Sequence, residues 1–132
     1  MTRMKVLYLG GLQTECTHES GAKIITEAPS VGKGSFWPTD LFAASLGTCM
    51  LTLMAMAAEE LKMDFKGATF EIEKTMSTEP PRRIDKLILR FRSPLSLNGA
   101  QREKLEKAAL NCPVHLALHP NLKVEVDFVW GI

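Results

Sequence analysis

At 132 residues the chain has the length of one domain, and 45% apolar with 23% charged residues is the balance of a globular protein. A formal net charge of +1, with no basic stripe, argues against nucleic acid as a partner. Three cysteines make no disulfide framework, and Met1–Tyr8 lacks the hydrophobic stretch of a secretory signal, so a cytoplasmic location is expected.

Met4–Gly10 alternates, with Val6 and Tyr8 on one face and Lys5 and Leu7 on the other, which predicts a strand. Gly10-Gly11 turns the chain into a second alternating run, Leu12–His18. Ser20-Gly21 turns it again into a third short strand, Lys23–Glu27. The opening third therefore reads as a three-stranded meander. Pro29–Pro38, rich in glycine, proline and serine, is a loop leading into the next element.

Trp37–Leu61 dominates the chain. It carries no charge from Leu41 to Ala58, and its leucines, methionines and alanines favour helix. Pro38 fits a first helical turn, and Asp40 suits the positive end of the dipole. Apolar residues lie all round, so the helix is expected to be buried on every side. Its length is at the threshold for a membrane span. Ser45, Thr48, Thr52 and the alanines make it only moderately hydrophobic, however, and no basic cluster orients it. A core helix wrapped by sheet is the better reading, and no membrane is expected. Ala43 and Gly47, four apart, would let a second helix approach closely.

Phe65–Met76 alternates with Ala68, Phe70 and Ile72 inward, and Ile84–Arg92 with Leu87, Leu89 and Phe91 inward. Pro80-Pro81 separates the two, which predicts a hairpin with glutamates on one outer face and Lys or Arg on the other. Asn98 caps a second helix, with Gln101 as its capping-box partner. Pro113 interrupts that helix and starts a new turn, Val114–Leu118. Lys123–Trp130 closes the chain as a strand. No repeat or second domain is visible, so residues 1–132 are expected to form one α+β domain.

Cys49 lies mid-helix, where a buried cysteine is commonly a small hydrophobe. Cys112 sits where a new helical turn begins, and a thiolate there is favoured by the dipole. His115, three residues on, offers a cation or base, or is simply a capping histidine. Cys16 has no such surroundings and reads as structural. His115 and His119 share a helical face, but no Cys-x2-Cys or His-Glu-x-x-His pattern is present, so no metal is expected. Neither a phosphate loop nor any other cofactor signature appears.

Two segments carry a resemblance: Pro38-Thr39-Asp40-Leu41-Phe42-Ala43-Ala44-Ser45-Leu46-Gly47-Thr48-Cys49, and Asn111-Cys112-Pro113-Val114-His115. Together they strongly resemble the OsmC/Ohr family over nearly the whole chain. The resemblance implies an OsmC-like α+β fold, with a long central buried helix wrapped by antiparallel sheets in an intertwined homodimer. It also implies reduction of organic hydroperoxides. Cys49 matches the attacking cysteine, which becomes a sulfenic acid, and Cys112 the resolving one; a dithiol such as a reduced lipoyl group reopens the disulfide. No cofactor is implied.

Two positions depart from the pattern. The family's peroxidases carry a glutamate where this chain has Thr39, beside Asp40, and an N-terminal arginine, whereas Leu12–Trp37 contains none. The cations available to replace it are Lys33, Arg82, Arg83 and His115. Phe36, Trp37, Phe42, Leu46 and Met50 are the expected walls of a pocket for an apolar hydroperoxide. Two other functions fit the same residues: a thiol redox or electrophile-handling protein without efficient peroxidase turnover, and a small-molecule binding module with an apolar pocket at the dimer interface.

Overall fold

The computed structural model describes all residues from Met1 to Ile132. They form a mixed α+β fold of two three-stranded sheets and three helices. The chain divides into two compact units, Met1–Phe42 and Ala43–Ile132.

In the first unit β1 (Met4–Gly10), β2 (Gln13–His18) and β3 (Lys23–Glu27) pair antiparallel in that order, as the alternation predicts. The β1–β2 turn runs Gly10-Gly11-Leu12 with φ of 86°, 60° and 60°. Two glycines supply this left-handed backbone without steric cost. Leu12 has no such freedom. Beyond β3 the loop folds back on a single side chain. The Glu27 carboxylate, almost fully buried, accepts backbone N–H groups from Lys33 at 3.3 Å, Gly34 at 3.0 Å and Ser35 at 3.1 Å. The Glu27 N–H donates to the Phe36 carbonyl, so the loop returns beside the strand it left.

Helix α1 spans Pro38–Glu60. The Trp37 N–H donates to Asp40 Oδ2 at 3.1 Å, and the Leu41 N–H donates to the Trp37 carbonyl. Asp40 thus satisfies the backbone donor just ahead of the helix, as the acidic member of a capping box does. By length and composition alone α1 could cross a membrane. Its buried residues nevertheless form one stripe, Ala43, Leu46, Gly47, Met50, Met54, Ala57 and Ala58. Phe42, at 43% exposure, and Met56, at 56%, lie off that stripe. Within one chain the helix is therefore buried on one face and not all round.

The second unit contains the rest of α1, then β4 (Thr69–Met76), β5 (Ile84–Ser93), α2 (Gly99–Leu110), α3 (Pro113–Leu116) and β6 (Lys123–Trp130). Strands β4 and β5 form the predicted hairpin, and Leu87, Leu89 and Phe91 are fully buried. Arg90 Nη1 meets Glu73 Oε1 at 2.8 Å across it. The expectation of purely antiparallel sheets is corrected here. Strand β6 runs parallel to β5. The connection between them carries α2 and α3 and is long enough to return the chain to the start of the sheet, which a parallel neighbour requires. Leu46, Met50 and Met54 of α1 share one core cluster with the three β5 residues and with Leu105, Ala109 and Cys112.

Gly47 shows why that packing needs a small residue. A Cβ there would stand 2.5 Å from Ile72 Cδ1 of β4. The close approach at Gly47 is thus to the sheet, and not to a second helix as the small-residue spacing predicts.

Candidate functional site

Helix α2 opens with the capping box that the sequence predicts. Asn98 Oδ1 accepts the Gln101 N–H, and Gln101 Oε1 accepts the Asn98 N–H. The helix ends at Asn111, because Pro113 two residues on cannot extend the hydrogen-bond ladder. Proline instead fits the first position of α3, and Cys112 becomes the residue that caps it. Cys112 Sγ accepts the His115 N–H at 3.2 Å. The residue is fully buried.

Cys49 comes from the middle of α1 and packs against the same core. It is half-buried, beside the buried stripe and not on it. Cys49 packs against the cluster that contains Cys112 and is among the groups that act on the Cys112 thiol. None of the three cysteines is joined in a disulfide. Burial pushes the Cys112 thiol above its ordinary range; the His115 N–H opposes this, and the neighbouring Cys49 sulfur adds to it. The arrangement holds one buried thiol that favours its proton and one half-buried cysteine. Cys16 lies in the first unit on β2, across from Val6 and Ile24.

The supporting residues are placed as follows. His115 Nδ1 lies 2.9 Å from the Leu110 carbonyl, which only accepts, so that nitrogen carries a proton and the ring closes the end of α2. The histidine reaches Cys112 through its backbone and not its imidazole. Arg83 Nη1 donates to the carbonyls of Pro81 at 3.0 Å and Glu79 at 3.4 Å, which ties the guanidinium to its own connection. Arg82 and Lys33 are exposed. The groups acting on Cys112 are Cys49 and the N–H groups of His115 and Val114. Thr39 and Asp40 belong to the first turn of α1, and ten residues of helix, about 15 Å of rise, separate Thr39 from Cys49.

Of the apolar residues expected to line a pocket, Leu46 and Met50 are fully buried core, because they fall on the inward stripe. Phe36 and Phe42 are exposed, and Trp37 is half-buried. Sequence reasoning passed over Glu27. Its one signal is an acidic residue at a strand end followed by a glycine-rich loop, a pairing whose geometry only the fold reveals. No group of histidine, cysteine and carboxylate side chains is arranged to hold a metal ion.

Residues 31–127 match the family model described as OsmC-like protein. The chain belongs to the OsmC-like family. It is 36% identical to a solved structure named as an osmotic stress induced and detoxification response protein from Psychrobacter arcticus. That match covers 98% of this chain and 96% of the other, with a TM-score of 0.90. The fold recurs in an organic hydroperoxide resistance protein OsmC from Legionella pneumophila, at 21% identity, TM-score 0.73 and coverage of 97% and 96%. It recurs again in the organic hydroperoxide resistance protein OhrB of Bacillus subtilis, at 19% identity, TM-score 0.71 and 98% coverage of both chains. Among curated proteins no sequence matches.

Proposed function

We propose that this OsmC-like chain is a thiol peroxidase that reduces organic hydroperoxides through Cys49 and Cys112. One observation carries the reading: a half-buried cysteine packs against the core cluster that holds a fully buried one. The Cys49 thiolate attacks the terminal oxygen of the hydroperoxide. A sulfur–oxygen bond forms, the O–O bond breaks, and the alkoxide leaves as alcohol after taking a proton. Cys112 then attacks the Cys49 sulfenic acid, water departs, and a disulfide remains. A second thiol close by would intercept the sulfenic acid before further oxidation. An external dithiol, such as a reduced lipoyl group, restores both thiols by exchange. The chemistry needs no metal or cofactor. Phe36, Trp37 and Phe42 are the side chains proposed to favour an alkyl or aryl hydroperoxide over hydrogen peroxide.

The reading includes one OsmC-like domain over residues 1–132 and a cytoplasmic, intertwined homodimer whose long helices lie centrally. Support comes from the apolar surface that each unit leaves open by itself: Val6 at 64% and Tyr8 at 62% on β1, Phe42 and Met56 on α1. An obligate interface of about 2,000 Å² or more would cover it. Sedimentation at micromolar concentration should give a dimer; a stable folded monomer rejects that part of the reading.

Stopped-flow consumption of cumene hydroperoxide tests the chemistry. Wild type should turn over with dithiol, and Cys49→Ser should not. Cys112→Ser should support one reduction event and then stall. Peptide mapping after mild oxidation should recover Cys49–Cys112 and leave Cys16 free.

A second reading rests on the departures. Thr39 stands where a glutamate would, Leu12–Trp37 has no arginine, and the Arg83 guanidinium is tied to Glu79 and Pro81. The pair would then serve thiol exchange or electrophile capture without fast peroxide turnover. Labelling of Cys49 at neutral pH without hydroperoxide consumption selects that reading. Neither labelling nor consumption selects an apolar small-molecule binding module.

A further inference from the structure

We propose that the recess at the leading end of the β5–β6 pair binds a small carboxylate with an apolar body, through the Arg83 guanidinium and the His119 imidazole. The inference goes beyond the thiol reading and does not depend on it.

The topology brings the two residues together. Strands β5 and β6 run parallel, with Lys86 opposite Lys123 and Leu87 opposite Val124. Parallel strands begin at the same end of a sheet. Arg83 immediately precedes β5, and His119 lies in the segment that leads into β6. An antiparallel pairing would have sent these two entry segments to opposite ends. The cavity formed here, of about 270 Å³, is lined by Arg83, Ile84, His119, Asn121 and Leu122.

Both polar side chains are held by contacts that leave donors to spare. The Leu122 N–H donates to the His119 carbonyl at 3.0 Å, which closes a turn over Pro120 and Asn121. The same turn fixes the ring, because the Asn121 N–H donates to His119 Nδ1 at 3.0 Å. A backbone N–H only donates, so Nδ1 is the acceptor and the ring N–H is on Nε2. The Arg83 backbone is tied to Ser77 in both directions. Its N–H donates to Ser77 Oγ at 3.1 Å, and its carbonyl accepts the Ser77 N–H at 2.8 Å. Arg83 Nη1 donates to the main-chain carbonyls of Glu79 and Pro81. Those acceptors are neutral and do not cancel the guanidinium charge, and Nε and Nη2 are left to donate.

The lining selects the ligand. It contains no carboxylate, since Glu79 and Asp85 line a separate recess with Ser77, Thr78 and Arg83. A guanidinium offers paired N–H groups that match the two oxygens of a carboxylate. One permanent positive charge suits a monoanion. Ile84 and Leu122, both half-buried, give the recess an apolar wall for a hydrocarbon body. A few placed polar groups on an apolar wall is the usual make-up of a small-molecule site. Arg83 and His119 are themselves exposed, so a ligand reaches them from solvent.

The test follows backbone amide shifts of the isotope-labelled full chain, with benzoate as the probe at fixed ionic strength. Benzoate should shift the amides of Arg83, Ile84, Asn121 and Leu122 and saturate with about millimolar affinity, the range open to so few atoms. Benzyl alcohol keeps the ring without the carboxylate, and inorganic phosphate keeps the charge without the ring. Each should bind about tenfold more weakly than benzoate or worse. Unmoved amides at those four positions, or either control binding as tightly as benzoate, overturns the proposal.

Two variants test the named groups. Arg83→Gln removes the charge and should weaken benzoate about tenfold. His119→Asp keeps an acceptor for the Asn121 N–H, and with it the turn, but puts a negative charge in place of the ring N–H. It should abolish benzoate binding. Parent affinity in either variant overturns the proposal. No measurement here involves peroxide or a thiol, so loss of the peroxidase reading leaves this inference standing, and its own failure leaves that reading untouched.

Discussion

Between Met1 and Phe42, the sheet leaves Met4, Val6, Leu7, Tyr8 and Leu9 exposed, and its buried residues are Thr26 and Glu27. From Ala43 onward, Leu46, Met50, Met54, Leu87, Leu89, Leu105 and Phe91 are buried completely. The first unit is organised by polar contacts: the Glu27 carboxylate on three loop amides, a Thr14–Thr26 hydroxyl pair, and Lys23 on Glu15 at 2.9 Å. The second is organised by apolar area. Apolar side chains left in water contribute none of the burial energy that stabilises the second unit. The contrast teaches that a chain can specify the shape of a segment by hydrogen bonds while leaving its energy to whatever covers it later.

The largest effect should come from the second unit. Phe91 sits among Phe65, Phe70, Phe128 and Trp130, with ring centroids 4.6 to 5.8 Å away. Phe91→Ala should cost about 3–5 kcal/mol in denaturant unfolding. Val6→Ala is the companion measurement, because the proposed dimer would cover Val6. It should cost about 1 kcal/mol or more where the dimer persists and close to nothing in isolated monomer. Equal losses at Phe91 and Val6 would erase the contrast.

The next effect breaks the first unit at its polar centre. Glu27→Ala strands three amides that now share one carboxylate and should cost about 3 kcal/mol, less whatever water recovers. Glu27→Gln keeps an acceptor oxygen but turns an NH2 toward amides that also donate, and should lose a large part of the same amount. Amide exchange at Lys33, Gly34 and Ser35 should quicken in both variants. Protection unchanged at those residues would show that the loop is held by something else.

The strands, the long helix, the hairpin and the capped second helix were legible because each rests on a local rule. Alternation placed Leu87, Leu89 and Phe91 inward, and Asn98 with Gln101 marked a helix start by chemistry acting across three residues. The parallel β5–β6 pairing was not legible, because strand direction depends on where α2 and α3 return the chain. Cys49 and Cys112 could be singled out from motifs, while how near the two come depends on the fold. For His115 spacing left a base and a capping histidine both open, and could not say that its backbone faces the Cys112 sulfur while its ring caps the Leu110 carbonyl.

Gly47 tests how tightly the second unit is packed. Gly47→Leu forces a branched side chain against Ile72 and Phe70 and should cost about 1–3 kcal/mol. Gly47→Ala meets only the end of the Ile72 side chain, which can rotate, and gains about 1 kcal/mol of helix propensity. The two should nearly cancel. A loss of several kcal/mol from alanine would mean that Ile72 is locked and the interface between helix and sheet has no slack.

The smallest effect lies where α1 ends. The Lys62 N–H donates to the Glu59 carbonyl and the Met63 N–H to the Ala58 carbonyl, which is the Schellman arrangement of a helix terminus. Its left-handed position is filled by Lys62, with φ of 56°, where glycine is the usual occupant. A side chain in that conformation costs roughly 1–2 kcal/mol, and glycine returns part of the gain by loosening the unfolded chain. Lys62→Gly should therefore stabilise the protein by about 0.5–1 kcal/mol, a rise of about 2–4 °C in Tm for a chain of this size. Lys62→Ala keeps the strain and gives up a cation near the negative end of the helix dipole, so it should gain nothing. A rise from alanine equal to that from glycine would assign the effect to charge and not to backbone strain. The site thiols should label at the same rate in both variants, since this terminus contributes nothing to them.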